Sequence, residues 1–375
     1  MHLRPSLFVR LLPFVVLAGA CSSDPPAGTD TGQSGANNGG AAGQASGGAL
    51  NAGSAGTLSG AGSTAAGAAG VNAGAAGAGG AGGASGAAGS VGASGSAGTG
   101  GGNAGAKPSA GCNVANTQAL GSYVAASEMV GGVATVWQAR TYSVYLPATY
   151  DSKRAYPVVF TAPGCSGNGS AIPMEKVSKE DAIIVRLDYK AAATGRDCFN
   201  TESWPDPEED YFRETAKQVE AKFCVDTSRR FIEGFSSGSW LTNLIGCADG
   251  DMMRGQGNAS GCMQGARPAT CKGPVAFMGA HDMGDQNNTY QCGTENRDRI
   301  VKLNGCSNQT MPYDPGPDIK AKAGVTVSCV QYVGCMPGYP VVWCTTTGQG
   351  HTDQVETGLS TFGFWKFWSA LPVKP

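Results

Sequence analysis

The sequence predicts an α/β protein: a mostly parallel sheet with helices on both faces, reinforced by disulfides. Three observations predict it. Short continuous apolar runs rich in Val, Ile and Phe recur between Tyr142 and Cys344, as in strands buried on both faces. Segments of helical spacing alternate with those runs, the pattern of crossover connections. Of 13 Cys, all but Cys21 lie from Cys112 onward, and an even set in an exported chain reads as a disulfide framework of unknown connectivity.

The elements follow in order. Tyr142–Leu146 is a strand closed by Pro147, and Pro157–Thr161 is a buried strand closed by Pro163-Gly164. Ala182–Leu187 is a third strand. Pro207–Phe223 is a helix: Tyr211, Ala216, Val219 and Phe223 share one face, and Glu208 and Glu209 sit in the first turn, where the helix dipole favours acids. Arg230–Gly234 is a strand, Ser237–Cys247 a helix and Val275–Met278 a strand. Asn296–Leu303 is a helix ended by Gly305. Val325–Val330 and Val341–Cys344 are strands, and Leu359–Leu371 is a closing helix before Pro372.

Ahead of this domain, expected over 111–375, the chain reads differently. Residues 1–20 form an export signal: Arg4 and Arg10 precede the apolar run Leu11–Ala18, which is too short to span a bilayer. The string Leu17-Ala18-Gly19-Ala20-Cys21 resembles a bacterial lipobox, which implies lipidation of Cys21. The expected location is therefore outside the cytoplasm, anchored by lipid to an outer membrane or cell surface, or otherwise secreted. Residues 21–110 are a linker. Between Asp30 and Lys107 there is no charged or aromatic residue, so the segment cannot bury enough apolar surface to offset its ordering entropy. As a flexible coil of about 80 residues it spans roughly 50 Å. Formal net charge is −2, which gives no basic footprint for nucleic acid. No apolar run reaches the length of a membrane span, and no clustered Cys or His pattern marks a metal. The loop 164–170 lacks the Lys of a phosphate-binding loop. Neither a metal nor a cofactor is expected.

The chemistry centres on Gly234-Phe235-Ser236-Ser237-Gly238, a Gly-x-Ser-x-Gly between a predicted strand and a predicted helix. That motif holds Ser on a sharp turn, where side chains two residues away would meet neighbouring backbone, and it exposes Oγ at the carboxyl end of a sheet. Ser236 is thus the expected nucleophile of an α/β-hydrolase fold. Its base follows by subtraction. The only histidines are His2, His281 and His351, and His2 lies in the signal. In this fold the acid and then the His follow the Ser. His351 lies after the Val341 strand and before the last helix, so it is the expected base, with His281 a supporting residue. The acid is Asp282 or Asp285, both just after the Val275 strand; spacing alone leaves the two open.

Several segments resemble the secreted feruloyl esterases and polyhydroxybutyrate depolymerases. They are Tyr142–Pro147 with Pro157–Gly164, Phe223–Arg229 running into Gly234–Gly238, Arg297-Asp298-Arg299 with Asn304-Gly305-Cys306, and Gly350-His351. The resemblance spans nearly all of residues 140–370. That family shows His-Gly-x-x-Asp at its acid loop. Laying His281 on its His selects Asp285, whereas sliding by three selects Asp282; the first keeps the His and is preferred. The family also has His-Gly where this chain has Pro163-Gly164-Cys165. Backbone N–H groups make an oxyanion hole, so Ser237 and Cys165 are assigned as its donors. The resemblance implies a serine carboxylesterase acting on small-molecule or polymer-linked esters. Hydroxycinnamoyl esters of plant cell-wall polysaccharide come first, with polyhydroxybutyrate or acetyl esters as alternatives. A non-catalytic surface binding protein on the same scaffold is the reading of another class. Trp204, Tyr211, Trp240 and Trp343 could line an aromatic pocket or simply pack.

Overall fold

The computed structural model describes residues 105–127, 130, 140–167, 171–189, 198–199, 201, 207–263 and 268–374. The signal segment, Cys21, nearly all of the linker and Trp204 lie outside the described residues. Among those described, the strands are β1 (Tyr123–Ala125), β2 (Tyr142–Tyr145), β3 (Tyr156–Ala162), β4 (Ile183–Leu187), β5 (Val225–Phe235), β6 (Gly255–Ala259), β7 (Ala276–Asp282), β8 (Thr310–Pro312), β9 (Thr326–Tyr332) and β10 (Val341–Thr347). The helices are α1 (Glu175–Ser178), α2 (Pro207–Lys222), α3 (Ser237–Ala248), α4 (Tyr290–Leu303) and α5 (Phe364–Ser369), the last preceded by a π-helical turn, Leu359–Gly363.

All ten strands form one sheet in the order β1-β2-β4-β3-β5-β6-β7-β10-β9-β8. Its centre, from β4 to β10, is parallel, and the two edges are antiparallel. β5, which ends at Phe235, is the fifth of the ten strands, and the exchange of β3 and β4 sets β3 beside it, so Ser236 emerges from the centre of the carboxyl edge. Apolar side chains on alternate strand positions feed two layers. Phe160, Val185 and Ile232 pack with Tyr211, Phe212 and Val219 of α2 and Leu241, Leu244 and Ile245 of α3. Val159, Ile184 and Phe231 face the other way, onto Phe364, Phe367 and Trp368 of α5. This is the α/β-hydrolase architecture.

The differences from the sequence reading have physical causes. β6 reads Gly-Gln-Gly-Asn-Ala and carries no apolar run, yet every residue in it is buried. Its glycines leave room for rings: a Cβ at Gly257 would lie 2.6 Å from Phe364 Cδ2 and 2.9 Å from Trp368 Cζ2. α4 starts six residues before the expected Asn296, because Thr289 caps it through its side chain to the Cys292 amide. The expected closing helix is divided into a π-helical turn and α5. The packed domain also takes in Lys107 to Ala110, assigned above to the linker: the Ser109 amide donates to Val225 O and the Lys107 amide to Asp226 Oδ1.

All twelve Cys of the domain are paired: Cys112–Cys224, Cys165–Cys198, Cys247–Cys271, Cys262–Cys292, Cys306–Cys335 and Cys329–Cys344. Six bridges are the mark of an oxidising, extracellular-type compartment.

Candidate active site

The turn that carries Ser236, the expected nucleophile, is built by exclusion. Ser236 has φ 54° and ψ −115°, a conformation costly for a residue with a side chain and tolerated where the surroundings enforce it. The glycines on either side explain the enforcement. A Cβ at Gly234 would lie 2.2 Å from the Gly238 carbonyl carbon, and one at Gly238 would lie 2.0 Å from Ala162 O. β5, α3 and the end of β3 therefore touch backbone to backbone, and the chain has only one way through. Ser236 is left 8% exposed.

Three loops at the carboxyl edge bring the expected side chains together. His351 Nε2 lies 3.0 Å from Ser236 Oγ, and His351 Nδ1 lies 2.8 Å from Asp285 Oδ2. The Phe235 ring packs on the His351 imidazole at 4.9 Å between centroids. Asp285 is held in turn: its Oδ1 accepts the Asn287 and Asn288 amides, each at 2.9 Å.

Asp282, the alternative acid, does something else. Its Oδ1 accepts the Gly284 amide at 2.8 Å, while its Oδ2 accepts Thr346 Oγ1 at 2.9 Å and the Gln349 amide at 3.0 Å. It clips the end of β7 to Thr346 of β10 and to Gln349, two residues before His351. The structure thus brings Asp285, and not Asp282, to the imidazole.

The expected oxyanion donors, Ser237 and Cys165, lie beside the Ser236 turn. Ser237 opens α3, where first-turn amides have no intrahelical acceptor. Gly164 is pressed against the nucleophile turn: a Cβ there would sit 2.7 Å from the Phe235 ring and 3.3 Å from Ser236 Cβ. That brings Cys165, tied to Cys198, next to the turn.

Some supporting residues carry no signal in the sequence. Ser260, after β6, donates from Oγ to Thr352 O at 2.6 Å and so fixes the loop that carries His351. Asn288 donates to Ser260 O and accepts from Trp240 Nε1 at 3.2 Å. Trp240 thus braces the acid loop, while Tyr211 and Trp343 belong to the core. Among the described residues no group of three or more His, Cys, Asp and Glu is arranged to hold a metal.

No family model matches the chain. Curated proteins do. Feruloyl esterase D of Neurospora crassa is 25% identical over 283 residues, which is 71% of this chain and 91% of that protein. Feruloyl esterase C of Emericella nidulans is 26% identical over 245 residues, 62% of this chain and 84% of that protein. The chain is related to the feruloyl esterases. Among solved structures, an acetyl xylan esterase from Aspergillus awamori superposes with a TM-score of 0.46 at 15% identity, over 60% of this chain and 94% of that one.

Proposed function

We propose that this chain hydrolyses hydroxycinnamoyl esters of plant cell-wall polysaccharide through an acyl-enzyme on Ser236. It is a carboxylic ester hydrolase with relatives named feruloyl esterases. The observation that supports the mechanism most is the unbroken chain Ser236 Oγ–His351–Asp285, with links of 3.0 and 2.8 Å. Ser236 Oγ attacks the ester carbonyl while His351 Nε2 takes its proton. Asp285, accepting from His351 Nδ1, keeps the tautomer whose Nε2 is a base and stabilises the imidazolium that forms. The carbonyl oxygen, now negative, lies toward the Ser237 and Cys165 amides and the positive end of α3. The proton then passes to the leaving alcohol, and water repeats the sequence on the acyl-enzyme. In this reading the domain works outside the cytoplasm, held by a lipid on Cys21 and a Gly/Ala/Ser-rich linker.

Assays of purified protein on methyl ferulate, short p-nitrophenyl esters and polyhydroxybutyrate test the substrate class. The expected order is methyl ferulate first in kcat/KM. Preference for the polyester, or for short acetyl esters, overturns the hydroxycinnamoyl reading and leaves the esterase. Ser236→Ala should lose about 10⁶-fold in kcat with the fold intact. Turnover near the wild-type rate in that variant, or no labelling of wild-type Ser236 by a fluorophosphonate, sinks the serine mechanism and favours a binding protein.

A further inference from the structure

His281 ends up where a bystander would not. It lies near the end of β7 with its side chain 1% exposed. The ring is walled by Tyr290 of α4, edge-on at 5.9 Å, and by Trp343 of β10 at 6.2 Å. On the α4 side there is a glycine, and a Cβ at Gly293 would sit 2.3 Å from His281 Nδ1. The ring can therefore take up its position only because Gly293 has no side chain. His281 Nε2 is hydrogen-bonded to Asn288 O at 2.8 Å and lies 3.3 Å from Asp285 Oδ2. Asp285 Oδ2 is the same oxygen that accepts from His351 Nδ1.

Both neighbours of Nε2 are acceptors, which puts the hydrogen on Nε2 and leaves Nδ1 bare. The groups that bear on the imidazole are Asp285 and Asp282 from its own loop, His351 from the opposite loop, the Asn288 carbonyl, and Tyr290, whose hydroxyl is engaged with Thr345 Oγ1. Burial is the largest influence, and it pushes the His281 pKa below the ordinary histidine value despite the two carboxylates. The imidazole is thus a neutral donor at neutral pH. A second imidazolium here would cancel the Asp285 charge that His351 draws on when it takes the Ser236 proton. A neutral N–H orients the carboxylate without cancelling it.

We propose that His281 is a positioning residue of the catalytic set, a fourth member whose N–H, held on Asn288 O, stands beside Asp285 Oδ2 and tempers its pull on the His351 proton. The inference rests on the reading of Ser236, His351 and Asp285 given above. With the donor removed, Asp285 Oδ2 answers to His351 alone. His351 then protonates more readily, and the acid limb of the kcat/KM–pH profile moves to higher pH.

The test is that profile, measured with an activated ester on wild type, His281→Phe, His281→Gln and Gly293→Ala. In His281→Phe the acid limb should rise by about half a pH unit or more, with kcat down roughly tenfold from the looser acid. His281→Gln, which keeps a donor, should return the limb to its wild-type position and recover most of kcat. Gly293→Ala displaces the ring from the helix side and should move the limb in the same direction as Phe, so the test holds even if His281→Phe does not fold. An unmoved limb in folded His281→Phe and Gly293→Ala, or Gln behaving as Phe does, overturns the proposal. Ser236→Ala is assayed alongside. If that variant keeps its activity, the catalytic reading itself falls, and the proposal with it.

Discussion

The acid loop after β7 and the last turn of β5 each bury a carboxyl group, and they treat it in opposite ways. Asp285 is 3% exposed and well partnered: two backbone amides on Oδ1, His351 on Oδ2, and the His281 ring 3.3 Å from Oδ2. Glu233, three residues before Ser236, is 0% exposed, and neither of its oxygens has a hydrogen-bond partner among the described residues. Its strand neighbours in register are Thr161 and Gly257. Burial, then the nearby Glu175 and Asp353, push its pKa well above the usual carboxylate range. One site supplies what an anion needs; at the other, the described residues supply no hydrogen bond. Burial alone therefore does not mark a working carboxylate; the partner set does.

The sharpest way to break this comparison is to change the donors' target. Asp285→Asn offers His351 an amide whose N–H₂ cannot accept, and kcat should fall about 10⁴-fold, with near-UV circular dichroism close to wild type. A loss under about tenfold would mean that the acid lies elsewhere. Asp282→Asn is the control on the same loop. Asp282 accepts from Thr346 and the Gln349 amide, not from the imidazole, so the expected loss in kcat is about tenfold or less. Its larger effect should be on stability, since an unmet buried partner costs about 1–3 kcal/mol. Comparable kcat losses in the two variants would show that the clip at Asp282 matters to the chemistry as much as the acid.

Much of this fold and site is legible in the amino-acid sequence, and what escapes it does so for physical reasons. Apolar runs such as Val158–Phe160 and Ile183–Val185 announce themselves because both faces of a central strand are covered. Gly234 is legible because its missing side chain answers a clash with Gly238, four residues on, and Gly238 is legible with it as the other glycine of the Gly-x-Ser-x-Gly motif, although what it avoids is Ala162 O at the end of β3. β6 is not, because what its glycines avoid is Trp368 and Phe364, more than a hundred residues away in the chain. The choice between Asp282 and Asp285 turns on where β10 places the Gln349 amide and His351, a tertiary fact that spacing within the acid loop does not contain. Ser260 and Asn288 act through backbone groups of other loops and leave no pattern. Glu233 is the opposite case: a charged residue inside the run Phe231-Ile232-Glu233-Gly234 is visible in the sequence, but whether it is paired is not.

That pairing sets the smallest and most specific expectation. Glu233 loses its proton near pH 4.5 in the unfolded chain and only at much higher pH in the folded one. Below pH 4.5 both states hold the proton, and the folded state bears no penalty from it. As pH rises past 4.5 the unfolded state gains by ionising, so the stability tied to this group is lost progressively up to the folded value. Glu233→Gln keeps the shape and removes the ionisation. Its Tm should match wild type near pH 4 and exceed it at pH 8, by about 2–4 °C for each kcal/mol relieved. Activity at pH 7 should stay within about twofold, because the substitution keeps the shape of a side chain that touches none of Ser236, His351 and Asp285. Differential scanning calorimetry of the two proteins from pH 4 to pH 8 reads the divergence directly. Parallel Tm–pH curves would mean that Glu233 finds a partner for its charge in solution, and its contrast with Asp285 would collapse.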